Sequence, residues 1–111
     1  MSVWTEVAGI IYIDDWSGMD GSPKIDLHAL VRKGLPTGSE DGLTIAVNER
    51  DDRYKAISIF GAVRDVNASD FHKFTDWWNH LYLGDHVRIL MASIRLTCEG
   101  LDVTLTERNY T

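Results

Sequence analysis

A chain of 111 residues, 44% hydrophobic and 25% charged, has the size and composition of one folded domain around one core and lies far from the regime of disordered chains. Its net charge of −6, with no basic run longer than Arg32-Lys33, disfavours general nucleic-acid binding. The longest strongly apolar stretches, such as residues 89–94, fall far short of the roughly 20 residues a membrane-spanning helix needs, and the opening MSVWTEVAG lacks the basic start of a secretory signal.

From Val3 to Ile13 the chain is rich in β-branched and aromatic residues, with Val3, Thr5 and Val7 alternating against Trp4, Glu6 and Ala8, which predicts a first strand. The polar, turn-rich stretch from Asp14 to Gly21, with Trp16 in its middle, reads as a loop. Ser22-Pro23 offers an N-cap followed by proline at the first helical position, and Leu27, Leu30 and Val31 recur at helical spacing, so a helix of about nine residues is expected before Gly34. Residues 35–42 hold a proline and two glycines and form a loop. Leu43–Val47 and Ala56–Phe60 read as two strands of a hairpin joined by the charged segment 48–53. Ser69 then caps a helix whose Phe71, Phe74, Trp78 and Leu81 share one apolar face, with Gly84 just beyond its end. Val87–Leu96 and Leu101–Thr106 flank Cys98-Glu99-Gly100, a tight turn between antiparallel strands. Cys98 is the sole cysteine, so no internal disulfide forms and a reducing cytoplasm is the expected setting.

The order βαββαβ plus a C-terminal strand implies an α+β domain, with a ferredoxin-like antiparallel sheet covered by two helices on one face. The other face must then meet solvent, a ligand or another subunit. Apolar residues occur at both parities of the strands, Ile57, Ile59, Ile89 and Met91 against Leu90, so a homo-oligomer is expected.

Several residue groups could carry chemistry. His72, Asp76 and His80 lie four apart on the second helix and could contact a divalent metal, but no further ligand motif accompanies them, and a solvated polar strip with weak pairing is the simpler reading. The pairs Asp14-Asp15 and Asp51-Asp52 lack the pattern of a calcium loop and read as solvated. No hydrolase elbow, zinc signature or nucleotide-binding P-loop is present, and no cofactor is expected. Of the four tryptophans, Trp78 fits the apolar stripe and Trp4 lies in a strand, whereas Trp16 falls in a loop and Trp77, displaced by about 100° from Trp78, belongs at a helix boundary. A ligand site is therefore expected at Trp16 or Trp77 with the backbone of Gly38 and Ser39, where Glu40 and Asp41 would have to point away or pair with Arg64 or Arg32.

The opening Val3-Trp4-Thr5-Glu6-Val7-Ala8-Gly9-Ile10, the loop Leu35-Pro36-Thr37-Gly38-Ser39-Glu40-Asp41-Gly42 and the run Phe60-Gly61-Ala62-Val63-Arg64-Asp65 resemble small proteins of tailed phages and prophages with a VWT-x-V-x-G-x-I start and an LP-x-GSEG loop. Asp41 interrupts the second pattern. The resemblance implies a setting in the cytoplasm of an infected bacterium, and by analogy a non-enzymatic protein that counteracts host defence. Such a protein would sequester a small nucleotide-like signalling ligand or inhibit a host protein. The alternative is a structural or accessory phage protein that acts only through oligomer contacts.

Overall fold

The computed structural model describes residues 3–18, 21, 23–37, 41–49 and 53–106. Five strands alternate inward and outward side chains: β1 (Trp4–Asp15), β2 (Asp41–Glu49), β3 (Tyr54–Arg64), β4 (Val87–Cys98) and β5 (Leu101–Thr106). They form one antiparallel sheet in the order β2-β3-β1-β4-β5, which places β1 at its centre. Two helices, α1 (Leu27–Arg32) and α2 (Phe71–His80), complete an α+β fold. No helix among the described residues is long and apolar enough to cross a membrane.

The inward parity builds the core. Ile11 and Ile13 from β1, Ile57 and Ile59 from β3, and Ile94 and Leu96 from β4 are almost completely buried. Leu27 and Val31 of α1 join the same cluster, as do Phe71, Phe74, Trp77 and Trp78 of α2. Gly9 shares this parity because nothing larger fits: a Cβ there would lie 2.6 Å from Ile94 Cγ1, so the missing side chain lets β4 close onto β1.

Element ends depart from expectation for local reasons. The first helix starts later and is shorter, because Asp26 rather than Ser22 is its N-cap, its carboxylate accepting from Ala29 N at 3.2 Å. The second helix is entered through a 3₁₀ turn (Ala68–Asp70) capped by Asn67, not Ser69; Asn67 Oδ1 accepts from Ser69 N, while Asp70 Oδ2 accepts from Asn67 N in return. That hydrogen bond to Asn67, aided by Lys73, holds the Asp70 carboxyl below its ordinary pKa. β1 runs two residues past Ile13, and β2, β3 and β4 are each longer than their apolar runs, since ladder pairing carries polar residues along. At Glu99 and Gly100 both residues take left-handed backbone angles, φ 50° and 84°, the two-residue turn that suits a twisted hairpin.

One irregularity reshapes the outward face. Tyr12 pairs with Met91 but Ile13 pairs with Ile89, so Leu90 is an extra residue and β4 bulges there. Ile89 and Met91, two apart, would share a face in a regular strand. The bulge instead buries Ile89 and leaves both Leu90 and Met91 exposed, at 43% and 53%.

Phe74 is fully buried between helix and sheet. Phe74→Ala is expected to lower stability by about 3–5 kcal/mol in urea unfolding, the cost of a large cavity in a packed core. An unchanged midpoint would contradict this packing.

Candidate functional site

The inward parity carries two charges as well as isoleucines. Asp15 follows Ile11 and Ile13 in phase, and Lys55 precedes Ile57 and Ile59 in phase, so the pleat turns both toward the core at one end of the sheet. There Lys55 Nζ donates to Asp15 Oδ2 at 2.7 Å, with side chains only 6% and 1% exposed. Ser17 N donates to the other oxygen, Oδ1, at 2.9 Å. Burial pushes the Asp15 carboxyl up, but the hydrogen bonds from Lys55 and Ser17 outweigh it and hold the group below the ordinary carboxylate value. Asp14, one residue earlier, points the other way and accepts from Arg53 Nε at 2.6 Å and Nη2 at 2.9 Å, a bidentate pair. The expectation that Asp14 and Asp15 are solvated loop acids is therefore corrected: both lie at the end of β1, buried, and each is matched by a cation from the β2–β3 connection or the start of β3.

This corner frames a groove on the outward face. Arg53 lies over the Tyr54 ring, with Cζ 5.5 Å from its centroid. Next along the face come Tyr12 from β1, Ala56 and Ser58 from β3, and the bulged Leu90 and Met91 from β4, enclosing about 690 Å³ with Ile10 at the floor and Asn48 at the β2 side. The groove is therefore mainly aromatic and aliphatic, with the Asn48 amide and the hydroxyls of Ser58, Tyr12 and Tyr54 as polar groups and Lys55 also in its lining. Asp14 engages the Arg53 guanidinium, so the cation beside Tyr54 is compensated rather than bare.

The groove belongs to a larger surface. Nine large hydrophobic side chains are markedly exposed among the described residues, and six of them, Trp4, Tyr12, Tyr54, Phe60, Leu90 and Met91, share the face that the helices leave open. Single exposed apolar residues are ordinary, but several on one uncovered face make that face the candidate interaction surface.

Of the residues expected at a ligand site, Trp16 and Arg64 lie at opposite ends of the sheet. Trp16 is half-buried beyond the end of β1, its main-chain N–H donating to His86 O at 2.9 Å and its ring edge-on to His86. Arg64 pairs with Trp4 at the opposite end of the sheet, on the order of 35 Å away by strand rise. Gly38 and Ser39, with Glu40, lie outside the described residues. Arg32 donates to Leu43 O at 3.2 Å, joining α1 to β2. Trp77 is not at a boundary: both adjacent tryptophans are buried, because α2 sits between two partners. Trp77 Nε1 donates to Val31 O of α1, whereas Trp78 Nε1 donates to Thr106 O of β5, each at 2.8 Å. Trp77 still walls a smaller cavity of about 330 Å³ beside Leu30, Gly34 and His80, but its indole N–H is already used.

His72 and His80 are exposed, and the Nδ1 of each lies within hydrogen-bond distance of a main-chain carbonyl, Ser69 O at 3.0 Å and Asp76 O at 2.8 Å. Among the described residues, no group of three or more His, Cys, Asp or Glu side chains could hold a metal ion. Comparison with family models, curated proteins and solved structures finds no match to this chain.

Asp15→Asn keeps the side-chain shape and removes the charge, leaving Lys55 buried without its counter-ion, so a loss of about 3–5 kcal/mol is expected in urea unfolding at pH 7. Because the folded pKa of Asp15 is depressed, the pair stabilises fully above the unfolded value near 4 and less as pH falls through the folded value. The gap between variant and wild type should therefore narrow in acid. Equal stability at pH 7, or a gap that widens below pH 4, would contradict the pairing.

Proposed function

We propose that this chain is a non-enzymatic binding protein whose open sheet face takes up a small planar ligand, in a groove built on Tyr12, Tyr54, Leu90 and Met91. The observation that carries the reading is the concentration of exposed aromatic and aliphatic side chains on the uncovered face around a groove of about 690 Å³. A planar heteroaromatic ring suits it, since tyrosine faces stack on any base, the Met and Leu side chains adapt to shape, and Asn48 and Ser58 offer donors and acceptors to a ring edge. This site differs from one at Trp16 and Trp77, and the reason is physical: the buried Trp77 has spent its polar group within the fold, whereas Tyr12 and Tyr54 are each 40% exposed.

The biological setting rests on the phage resemblance of the first strand and the loop at residues 35–42. It points to the host bacterial cytoplasm, where sequestering a nucleotide-like signal would counteract a defence response. The fold reading belongs with it. Support for a ferredoxin-like arrangement comes from the two helix-bearing connections, β1 to β2 and β3 to β4, each of which skips one strand position, with β5 as an added edge.

Native mass spectrometry of the purified protein against a panel of linear and cyclic nucleotides tests the reading. Retention by the wild type is expected, with Tyr12→Ala binding roughly tenfold or more weakly, as loss of one stacking partner costs about 1–3 kcal/mol. Trp16→Ala should bind like the wild type. Retention unchanged in Tyr12→Ala but lost in Trp16→Ala would move the site to the turn just beyond the end of β1.

A further inference from the structure

We propose that a second copy of this chain packs on the open sheet face, β1 against β1, and roofs the groove. The inference rests on reading that face as the working surface and adds what covers it.

Size comes first. Strands of 6 to 12 residues, five abreast, span a face of roughly 800 Å² at ordinary strand rise and spacing, about what each partner contributes to a standard stable interface. Charge is arranged as such an interface requires. The centre of the face carries Ala8, Ile10, Tyr12, Ala56 and Ser58, all uncharged, and Glu6, Arg64 and Arg88 lie toward the strand ends; Arg95, beside Ala8 on β4, brings a charge into the middle that is paired with Asp102. An apolar middle inside a charged rim is the anatomy of a protein–protein contact.

Symmetry decides for a second copy. β1 has two strands on each side, so a two-fold axis running along it in the interface lays β3 of one copy over β4 of the other. Register supplies the pairing across Tyr12: its neighbours are Ala56 on β3 and Met91 on β4, so the larger side chain of each copy meets the smaller one of its mate, twice. Phe60 and Arg95, the two neighbours of Ala8, likewise come opposite each other, an aromatic face against a guanidinium stem. Aligned sheets cross at about 30°, which preserves these pairings near the axis, where they lie. The groove is open on the side the second copy would occupy, so the ligand site is complete only in the dimer.

Sedimentation equilibrium on the full chain tests this. The wild type should approach twice its 12.6 kDa mass at micromolar concentration. Ala8 lies on the axis but outside the groove. Ala8→Glu and Ala8→Lys, each shown by circular dichroism to be folded, should dissociate roughly a hundredfold more readily through like charges brought together. An equimolar mixture of the two should recover dimer beyond either alone, while Tyr82→Glu, at an exposed site off this face, should change nothing. A wild type that stays monomeric, or a dimer indifferent to charge at Ala8, overturns the proposal. A monomer that still retains a nucleotide overturns it while leaving the ligand reading intact. A dimer that behaves as described but retains no nucleotide supports it and removes the ligand reading.

Discussion

A sheet has two faces, and among the described residues helices cover only one of them. β1, β3 and β4 are long enough to present inward rows of isoleucine, and α1 and α2 together are just long enough to cover those rows. That shortage of helix sets the rest of the structure. It makes the core one-sided, so that even the adjacent Trp77 and Trp78 are both consumed in it, one hydrogen-bonded toward α1 and the other toward β5. It also leaves an opposite face that a monomeric protein would ordinarily fill with charge, and here fills with Tyr12, Tyr54, Phe60, Leu90 and Met91.

The end of β1 shows how the two faces are tied together. Asp15 turns inward to Lys55, and Asp14 turns outward to Arg53, so two consecutive carboxylates clamp β3 from both sides of the pleat. The inner pair has no water to fall back on, and its stability depends on the mutual hydrogen bonds and on the amide of Ser17. The outer pair sets Arg53 over Tyr54 and so fixes one wall of the groove. A buried polar clamp thus positions an exposed aromatic surface.

Much of the fold was legible because strand and helix periods are strong signals. The stripe Phe71, Phe74, Trp78 and the Glu99-Gly100 turn sit where spacing and turn chemistry put them. Helix starts were not, because Ser22 and Ser69 look as good as Asp26 and Asn67 until the chain commits its hydrogen bonds. The clamp could have been read: Ile11, Ile13, Asp15 and Lys55, Ile57, Ile59 keep one period, and two opposite charges in phase with buried isoleucines announce a buried pair. The groove could not, since the bulge at Leu90 breaks the period and nothing in ILMAS marks where the extra residue falls. Attention to tryptophan as the aromatic of interest likewise passed over Tyr12 and Tyr54, whose exposure depends on which parity the helices cover.

The central claim is that the uncovered sheet face is the surface on which this protein works. Hydroxyl-radical footprinting of the full chain, from nanomolar to high micromolar concentration, measures that face directly through Met91, Tyr12, Phe60 and Trp4, with the exposed Tyr82 as internal reference. The account predicts that these four lose reactivity together as concentration rises while Tyr82 keeps its own. Reactivity that stays proportional to Tyr82 across the whole range would contradict it.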